Sequence, residues 1–349
     1  MHASIIIVTF NGSEYLQTCI DSILDEIRKD DEIILVDNAS TDGCASLVQQ
    51  QWPQVRLISN QANLGFAAAC NQGAKYATGE TLVFLNQDTR VEAGWLTGLL
   101  VPFGQYPTVG LVASKLLLMS APGQIHMCGQ DIHFTGFSFG RGFRAPSGSY
   151  SLPEVVGAVS GASFAIRREL WEQLGGFDLD YFMYYEETDL CWRARLAGFS
   201  SMYTPDSIAY HDFSTNRSSQ KYIYSERNRL VLILKNLKPL TLILLLPSLL
   251  ISEIIDWGYM LLVGREGLRA KLQSYRWLAR NFSTVRGNRA QKQLSRKERD
   301  WVLLKSCTSQ LTPQLHTGGR IGHAAVSVCN LWFRLHYKVV LSLAQYLNI

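Results

Sequence analysis

TLVFLNQD, residues 81–88, runs from Leu82 to Leu85 without a polar side chain and then ends on Asn86, Gln87 and Asp88. Three earlier stretches repeat the pattern: SIIIVTF at 4–10, EIILVDN at 32–38 and VRLISN at 55–60. Helix-length segments near 13–27, 42–51 and 65–77 lie between them. Strands that read as unbroken apolar runs are buried on both faces, which predicts an α/β fold: a mostly parallel sheet with helices on both faces. In such sheets a ligand binds beyond the carboxyl ends of the strands. Those ends here read Thr9-Phe10-Asn11, Asp37-Asn38, Ser59-Asn60 and Asn86-Gln87-Asp88, so each apolar strand delivers polar side chains to one rim.

The 349 residues, 47% of them hydrophobic, exclude a disordered or fibrous chain. The net charge of +4 conceals a local bias. Residues 264–300 hold eleven Lys or Arg against three acids, a block of +8 that leaves the remainder at −4. A block of this kind is either a solvated helical face or a contact with phosphate groups. The seven cysteines, at 19, 44, 70, 128, 191, 307 and 329, form no CxxC pair, which argues against a zinc site or a disulfide framework. Together with the strand-like start MHASIIIVTF they predict a reducing, cytosolic setting.

Each rim residue has a functional and an ordinary reading. Asp88 at a strand tip can hold a divalent cation, whose remaining shell comes from water and phosphate oxygens; it can equally form a turn. Asp37 could accept a hydrogen bond from a ligand ring nitrogen if Asp42 or Ser40 caps the following helix. In NLGFAAACNQGA, Gly65 and the small residues after it let a helix start approach a ligand, with Asn63 just ahead. GxGxxG is absent, which lowers a dinucleotide oxidoreductase reading.

The second region, 105–238, is richer in Gly and aromatics and contains YYEETDLCWR at 184–193. A helix is predicted from Glu186. Asp189 would face Arg193 one turn on and brace it. Glu186 and Glu187 have no such partner, and carboxylates among aromatic walls acquire a raised pKa suited to proton abstraction. Gly161 and the aromatics Tyr184, Tyr185 and Trp192 could shape an acceptor pocket, or be ordinary core. His211 ends the apparent strand SIAYH and could join Asp88 on a metal or a diphosphate if the two strands are neighbours. In SERNRLVLILK, Arg227 and Arg229 could contact a diphosphate but read more readily as a solvated helix start.

From Pro239 the texture changes. PLTLILLLPSLLISEIIDWGYMLLVG, 239–264, is apolar but interrupted by Pro247, Glu253 and Asp256, which favours an interfacial segment over a full crossing; a buried helical hairpin is the competing reading. The basic block follows directly, so residues 239–300 are expected to meet a membrane surface.

Taken in order, SIIIVTFN, LVDNASTDG, NLGFAAACNQGA, FLNQDT, SGASFAIRRELWEQLGGFD and EETDLCWRARLAGF resemble the inverting glycosyltransferases of family 2, in particular their rhamnosyltransferase-like subgroup. The resemblance covers about residues 1–235. It implies a GT-A fold, a Rossmann-like sheet in which 1–104 form the nucleotide-sugar-binding half and 105–238 the acceptor-binding and catalytic half. Residues 239–349 then form an apolar and basic helical tail that associates with the cytoplasmic face of the cell membrane. The donor, by subgroup dTDP-rhamnose, would be held by Thr9, Asn11, Asp37, Asn63, Gly65, Asn86, Gln87 and Asp88. FLNQDT stands where the family carries its DxD signature, so Asp88, with His211, would hold Mg²⁺ or Mn²⁺; Asn86 replaces the first acid. EETDL places Glu187 at the base position, with Glu186 beside it. Gly161, Trp192 and Asp189 would line the site of a lipid-linked glycan acceptor.

Three other classes compete. A nucleotidyltransferase would show a basic Gly-rich loop after its first strand, and VTFNGSEYL has neither Lys nor Arg. A non-catalytic glycan- or nucleotide-sugar-binding module would keep sugar binding without Asp88. A nucleic-acid binder rests on the basic block alone, without a recognisable module, so no nucleic-acid partner is expected.

Overall fold

The computed structural model describes residues 1–213, 219–312 and 319–349. The strands are β1 (Ala3–Thr9), β2 (Glu32–Asp37), β3 (Arg56–Ser59), β4 (Thr81–Asn86), β5 (Thr89–Val91), β6 (Val109–Leu118), β7 (Ala121–Met127), β8 (Gln130–Ile132), β9 (Ser138–Gly140), β10 (Glu154–Val156), β11 (Ser163–Arg167) and β12 (Ser200–His211). The helices are α1 (Ser13–Leu24), α2 (Cys44–Gln51), α3 (Phe66–Tyr76), α4 (Trp95–Gln105), α5 (Arg168–Leu174), α6 (Glu186–Leu196), α7 (Ser219–Asn236), α8 (Pro239–Val263), α9 (Arg265–Lys292), α10 (Asp300–Lys305) and α11 (Gly319–Tyr346).

Ten strands form one mixed sheet in the order β10-β12-β6-β11-β4-β1-β2-β3, with β5 on β12 and β7 on β6. The half built from the apolar runs, β4-β1-β2-β3, is parallel throughout. Beyond β4 the chain departs from that pattern: β11 inserts antiparallel between β4 and β6, and β12 then runs parallel to β6. Alternate residues of β1 serve opposite layers. Ile5 and Ile7 pack with Leu16 and Ile20 of α1 and with Trp95 and Leu99 of α4. Ile6 faces α3 so closely that a methyl group on Gly73 would lie 2.6 Å from it. Helices therefore cover both faces, as unbroken apolar strands require.

Two compact units emerge. The first comprises Met1–Gln130, Gly140–Ala194 and Phe199–Ser214; the second comprises Asp131–Phe139, Arg195–Gly198 and Thr215–Ile349. The second is wider than the tail expected at 239–349 because α7 packs along α9. Within it, Pro247 does not break α8, which is one helix of 25 residues. Arg227 and Arg229 correct their expected solvated setting. Both are buried, Arg227 over the rings of Tyr224 and Trp277, and Arg229 paired with Glu253.

Candidate active site

Parallel pairing puts the strand tips in one row. Thr9 is level with Asp37, Asp37 with Ser59, and Val8 with Asn86. The turns after the strands are stitched by side chains. Asp42 accepts hydrogen bonds from the Ser13 amide at 2.8 Å and the Cys44 amide at 3.2 Å, so one carboxylate serves the starts of α1 and α2. Burial would raise its pKa, but the bonds with Cys44 and Ser13 outweigh it and hold the group at about 2. The Asn11 side-chain oxygen accepts from the Thr41 amide at 2.8 Å, and its own amide donates to Ser40. Asp37 Oδ1 accepts from the Ser40 amide at 3.1 Å, which spends that oxygen on the turn.

Asn38, which the sequence offers only as part of a strand tip, organises the next loop. Its amide nitrogen donates to Asn63 at 2.9 Å, and its oxygen accepts from the Leu64 amide at 3.1 Å. Gly65 then turns with φ of +85°, and a Cβ there would lie 2.6 Å from the Phe182 carbonyl. That glycine is explained by its own geometry and by the approach of residue 182.

Two expected donor contacts are committed inside the protein. Thr9 is fully buried and donates to Gln87 Oε1 at 2.5 Å; the same oxygen accepts from the Phe10 amide at 3.1 Å. Gly12 leaves room for this amide, which a Cβ would meet at 2.2 Å. Thr9 and Gln87 thus brace the first turn instead of offering free polar groups. Two residues expected at the acceptor are likewise engaged inside the protein. Trp192 lies in the core, and Asp189 is closed by Arg193 at 2.7 Å, with both partners' side chains at most 2% exposed. Arg193 also donates to the carbonyls of Leu174 and Gly176, each at 2.9 Å, so the pair ties α6 to the end of α5.

The acids at the start of α6 are in a different position. Tyr184 and Tyr185 precede them with φ of 66° and 71°, two successive non-glycine residues in the left-handed region, where strain is tolerated only if surroundings impose it. The Tyr185 carbonyl accepts the Asp189 amide at 2.8 Å and opens the helix. Glu186 is buried near Gly161, whose position for a Cβ is 4.0 Å from Glu186 Oε1. Burial, and then the charge of Glu187, push the Glu186 carboxyl well above its ordinary range. Burial also raises Glu187, against the hydrogen bond it accepts from Gln130 Nε2 at 2.9 Å. One oxygen of each glutamate, Oε2, is buried without a hydrogen-bond partner. Tyr184 is raised by burial and then by the charges of Glu186 and Asp88, so its ring lies within the field of both.

Asp88 and His211 meet because β12 pairs with β5, His211 opposite Thr89. His211 Nε2 is 3.4 Å from Asp88 Oδ1, a buried oxygen with no hydrogen-bond partner among the described residues. Among the described residues no group of three or more His, Cys, Asp or Glu converges as a metal cage. An imidazole and a bare carboxylate oxygen are still a fitting pair of donors for a cation that completes its shell with diphosphate and water. A third ring, His126, stands behind His211 with the two Nδ1 atoms 3.1 Å apart. Neither His126 nor Gln130 belongs to a sequence pattern; each reaches the site through strand pairing.

The family profile described as "Glycosyl transferase family 2" matches residues 4–175. The O-antigen biosynthesis protein RfbC of Myxococcus xanthus is 32% identical over 61% of this chain and 17% of its own length. The N-acetylglucosaminyl-diphospho-decaprenol L-rhamnosyltransferase of Mycobacterium tuberculosis is 25% identical over 63% of this chain and 79% of its own. The chain thus spans under a fifth of the first relative and about four-fifths of the second. Among solved structures, GalNAc-T7 with UDP, GalNAc and Mn²⁺ superposes with a TM-score of 0.55 at 17% identity, over 67% of this chain and 47% of that one. S. aureus TarS superposes with a TM-score of 0.54 at 17% identity, over 97% of this chain and 55% of that one. These two likenesses are of fold. Residues 4–175 of the chain therefore match a glycosyl transferase family 2 domain.

Proposed function

We propose that this glycosyltransferase moves a sugar, with inversion, from a nucleoside-diphosphate sugar to a hydroxyl of a lipid-linked glycan in cell-surface polysaccharide synthesis. The observation that carries it is the raised carboxylate pair of α6, each with a buried Oε2, whose Glu186 shares the charge environment of Tyr184 with Asp88. In this reading 1–104 form the donor half and 105–238 the acceptor and catalytic half. The exposed Asn11 and Asn63, and Asn86 and Asp37 in the row of strand tips, face the donor. Gly161 leaves space beside the acids for the acceptor.

Glu187 is the base. Two adjacent buried carboxyls titrate as a pair, and the Gln130 hydrogen bond favours charge on Glu187 while Glu186 keeps the proton. A base within about 3 Å of the attacking hydroxyl takes its proton as the bond to the anomeric carbon forms. Asp88 and His211 would hold Mg²⁺ or Mn²⁺, which supplies charge stabilisation to the departing nucleoside diphosphate. The chain's own part is to align donor and acceptor, which provides much of the remaining rate. The rhamnosyltransferase relative supports rhamnose as the sugar and a polyprenyl-diphosphate glycan as acceptor, with dTDP as the nucleotide expected from the subgroup.

Thermal unfolding with UDP-, dTDP- and GDP-sugars, with and without Mn²⁺, tests the donor class. Stabilisation by one nucleotide class, dependent on Mn²⁺ and lost in Asp88→Ala, is expected. A well-folded wild type that responds to no donor would instead support the glycan-binding module. The anomeric configuration of the product, read by NMR, tests inversion.

The tail reading is membrane contact on the cytoplasmic side. Its support is that α8 turns Thr241, Ser248, Ser252 and Asp256 inside and exposes Ile243, Leu246, Leu250, Ile254 and Leu261.

A further inference from the structure

His126 occupies a bulge. Along β7, Ile125 pairs with Leu117 and Met127 with Leu116, two steps against one, so His126 is the extra residue. A bulge bends its strand and re-aims the side chain it carries, and bulges concentrate beside active sites. The re-aimed ring is buried and stacks on Phe213, with centroids 4.3 Å apart and planes 26° from parallel. Its Nδ1 lies 3.1 Å from Nδ1 of His211.

Two facing ring nitrogens at that distance need one proton between them: one donates and the other accepts. The far nitrogen of His211, Nε2, is the one turned to Asp88. To hold a cation there, Nε2 must present a lone pair, and in the neutral ring the proton is then on Nδ1. We propose that His126 is a positioning residue. Its Nδ1 accepts the His211 Nδ1–H and so fixes His211 in the tautomer, and at the ring angle, that opens Nε2 to the cation shared with Asp88. Partners behind a ligating histidine commonly do this through a carboxylate or a carbonyl. Here a second imidazole takes that place, itself oriented by Phe213.

The proposal rests on the metal reading of Asp88 and His211, and its test separates the two. Binding of Mn²⁺ to the full chain is measured by electron paramagnetic resonance for wild type, Asp88→Ala, His126→Phe and His126→Asn. Phenylalanine keeps the stack on Phe213 and removes the acceptor; asparagine places Oδ1 close to where Nδ1 was. His126→Phe should weaken Mn²⁺ about 10- to 100-fold, the usual consequence of losing a partner behind a ligand. His126→Asn should restore binding close to wild type. Histidine ¹⁵N spectra of metal-free wild type, with His211→Ala for assignment, should show the His211 proton on Nδ1. Tight Mn²⁺ binding by His126→Phe, or a His211 proton on Nε2, would overturn the role of His126. Absence of Mn²⁺ binding in wild type, or its persistence in Asp88→Ala, would instead remove the metal reading and the proposal with it.

Discussion

Glu186 and Glu187 are chemically identical neighbours whose surroundings give them different work. Replacing Glu187 by Gln removes the group assigned to take the acceptor proton, so kcat should fall about 10²- to 10⁴-fold. Donor-induced thermal stabilisation should persist, because the proposed nucleotide site is on the strand tips and not on α6; loss of donor binding would contradict the assignment. Glu186 makes a prediction about pH. Its folded pKa lies above the unfolded one, so its contribution is fully present below about pH 4.5 and is lost as pH rises toward the raised folded value. Glu186→Gln removes that loss, and the variant should gain stability over wild type at pH 8 while differing little near pH 4, read from urea unfolding at each pH. An equal difference at both pH values would show that the carboxyl is not raised. Asp88 and Glu187 could be singled out in the sequence, Asp88 because it ends an apolar run and Glu187 because it has no partner one turn on. His126 and Gln130 could not, since what makes them matter is a pairing partner in another strand.

At the scale of elements, the parallel half of the sheet was readable from four apolar runs, whereas the insertion of β11 between β4 and β6 was not, because antiparallel order is fixed by the path of the chain through 105–238. The acids inside α8 carry a similar lesson. Glu253 and Asp256 read as interruptions of an apolar segment, but they lie on one face, toward α7 and α9. There Lys271, wholly buried, is 2.6 Å from Glu226 and 3.0 Å from Glu253, and is paired with Asp256. Tyr275 adds a hydrogen bond to Glu253 at 2.5 Å, and Arg229 pairs with the same carboxylate. The polar groups are therefore consumed inside the helical unit, and the apolar stripe outside is unbroken. Lys271→Met strands Glu226 and Asp256 among the helices, while Glu253 keeps Arg229, and breaking a buried pair in this way costs about 3–5 kcal/mol. Urea denaturation of the full chain should show that loss, and a change below about 1 kcal/mol would mean the cluster is well hydrated.

At the scale of the whole molecule, the second unit exposes apolar side chains that fit the proposed membrane contact. A helix on a soluble core buries its apolar face. In α8 the buried row is Thr241, Leu245, Ser248, Ser252, Asp256 and Met260, and the exposed row is Ile243, Leu246, Leu250, Ile254 and Leu261. Ser248 joins α8 to α11 through His336 at 2.6 Å and Trp332 at 3.3 Å. α11 in turn exposes Leu331, Leu335, Val339 and Leu343 at helical spacing. Arg265, Arg269, Arg276 and Arg280 lie exposed along one face of α9, and each cation near an anionic bilayer adds about 1 kcal/mol. Vesicles containing phosphatidylserine should therefore sediment the full chain, and more weakly as salt rises. Leu250→Glu with Ile254→Glu places two charges in the outward stripe, at side chains 57% and 71% exposed, so folding should be kept while binding falls. Each charge that must leave the lipid should weaken binding about tenfold or more, since ~1.4 kcal/mol suffices for a factor of ten. Should the double variant sediment like wild type, the stripe does not enter lipid, and the leucines of α8 and α11 must be covered by protein.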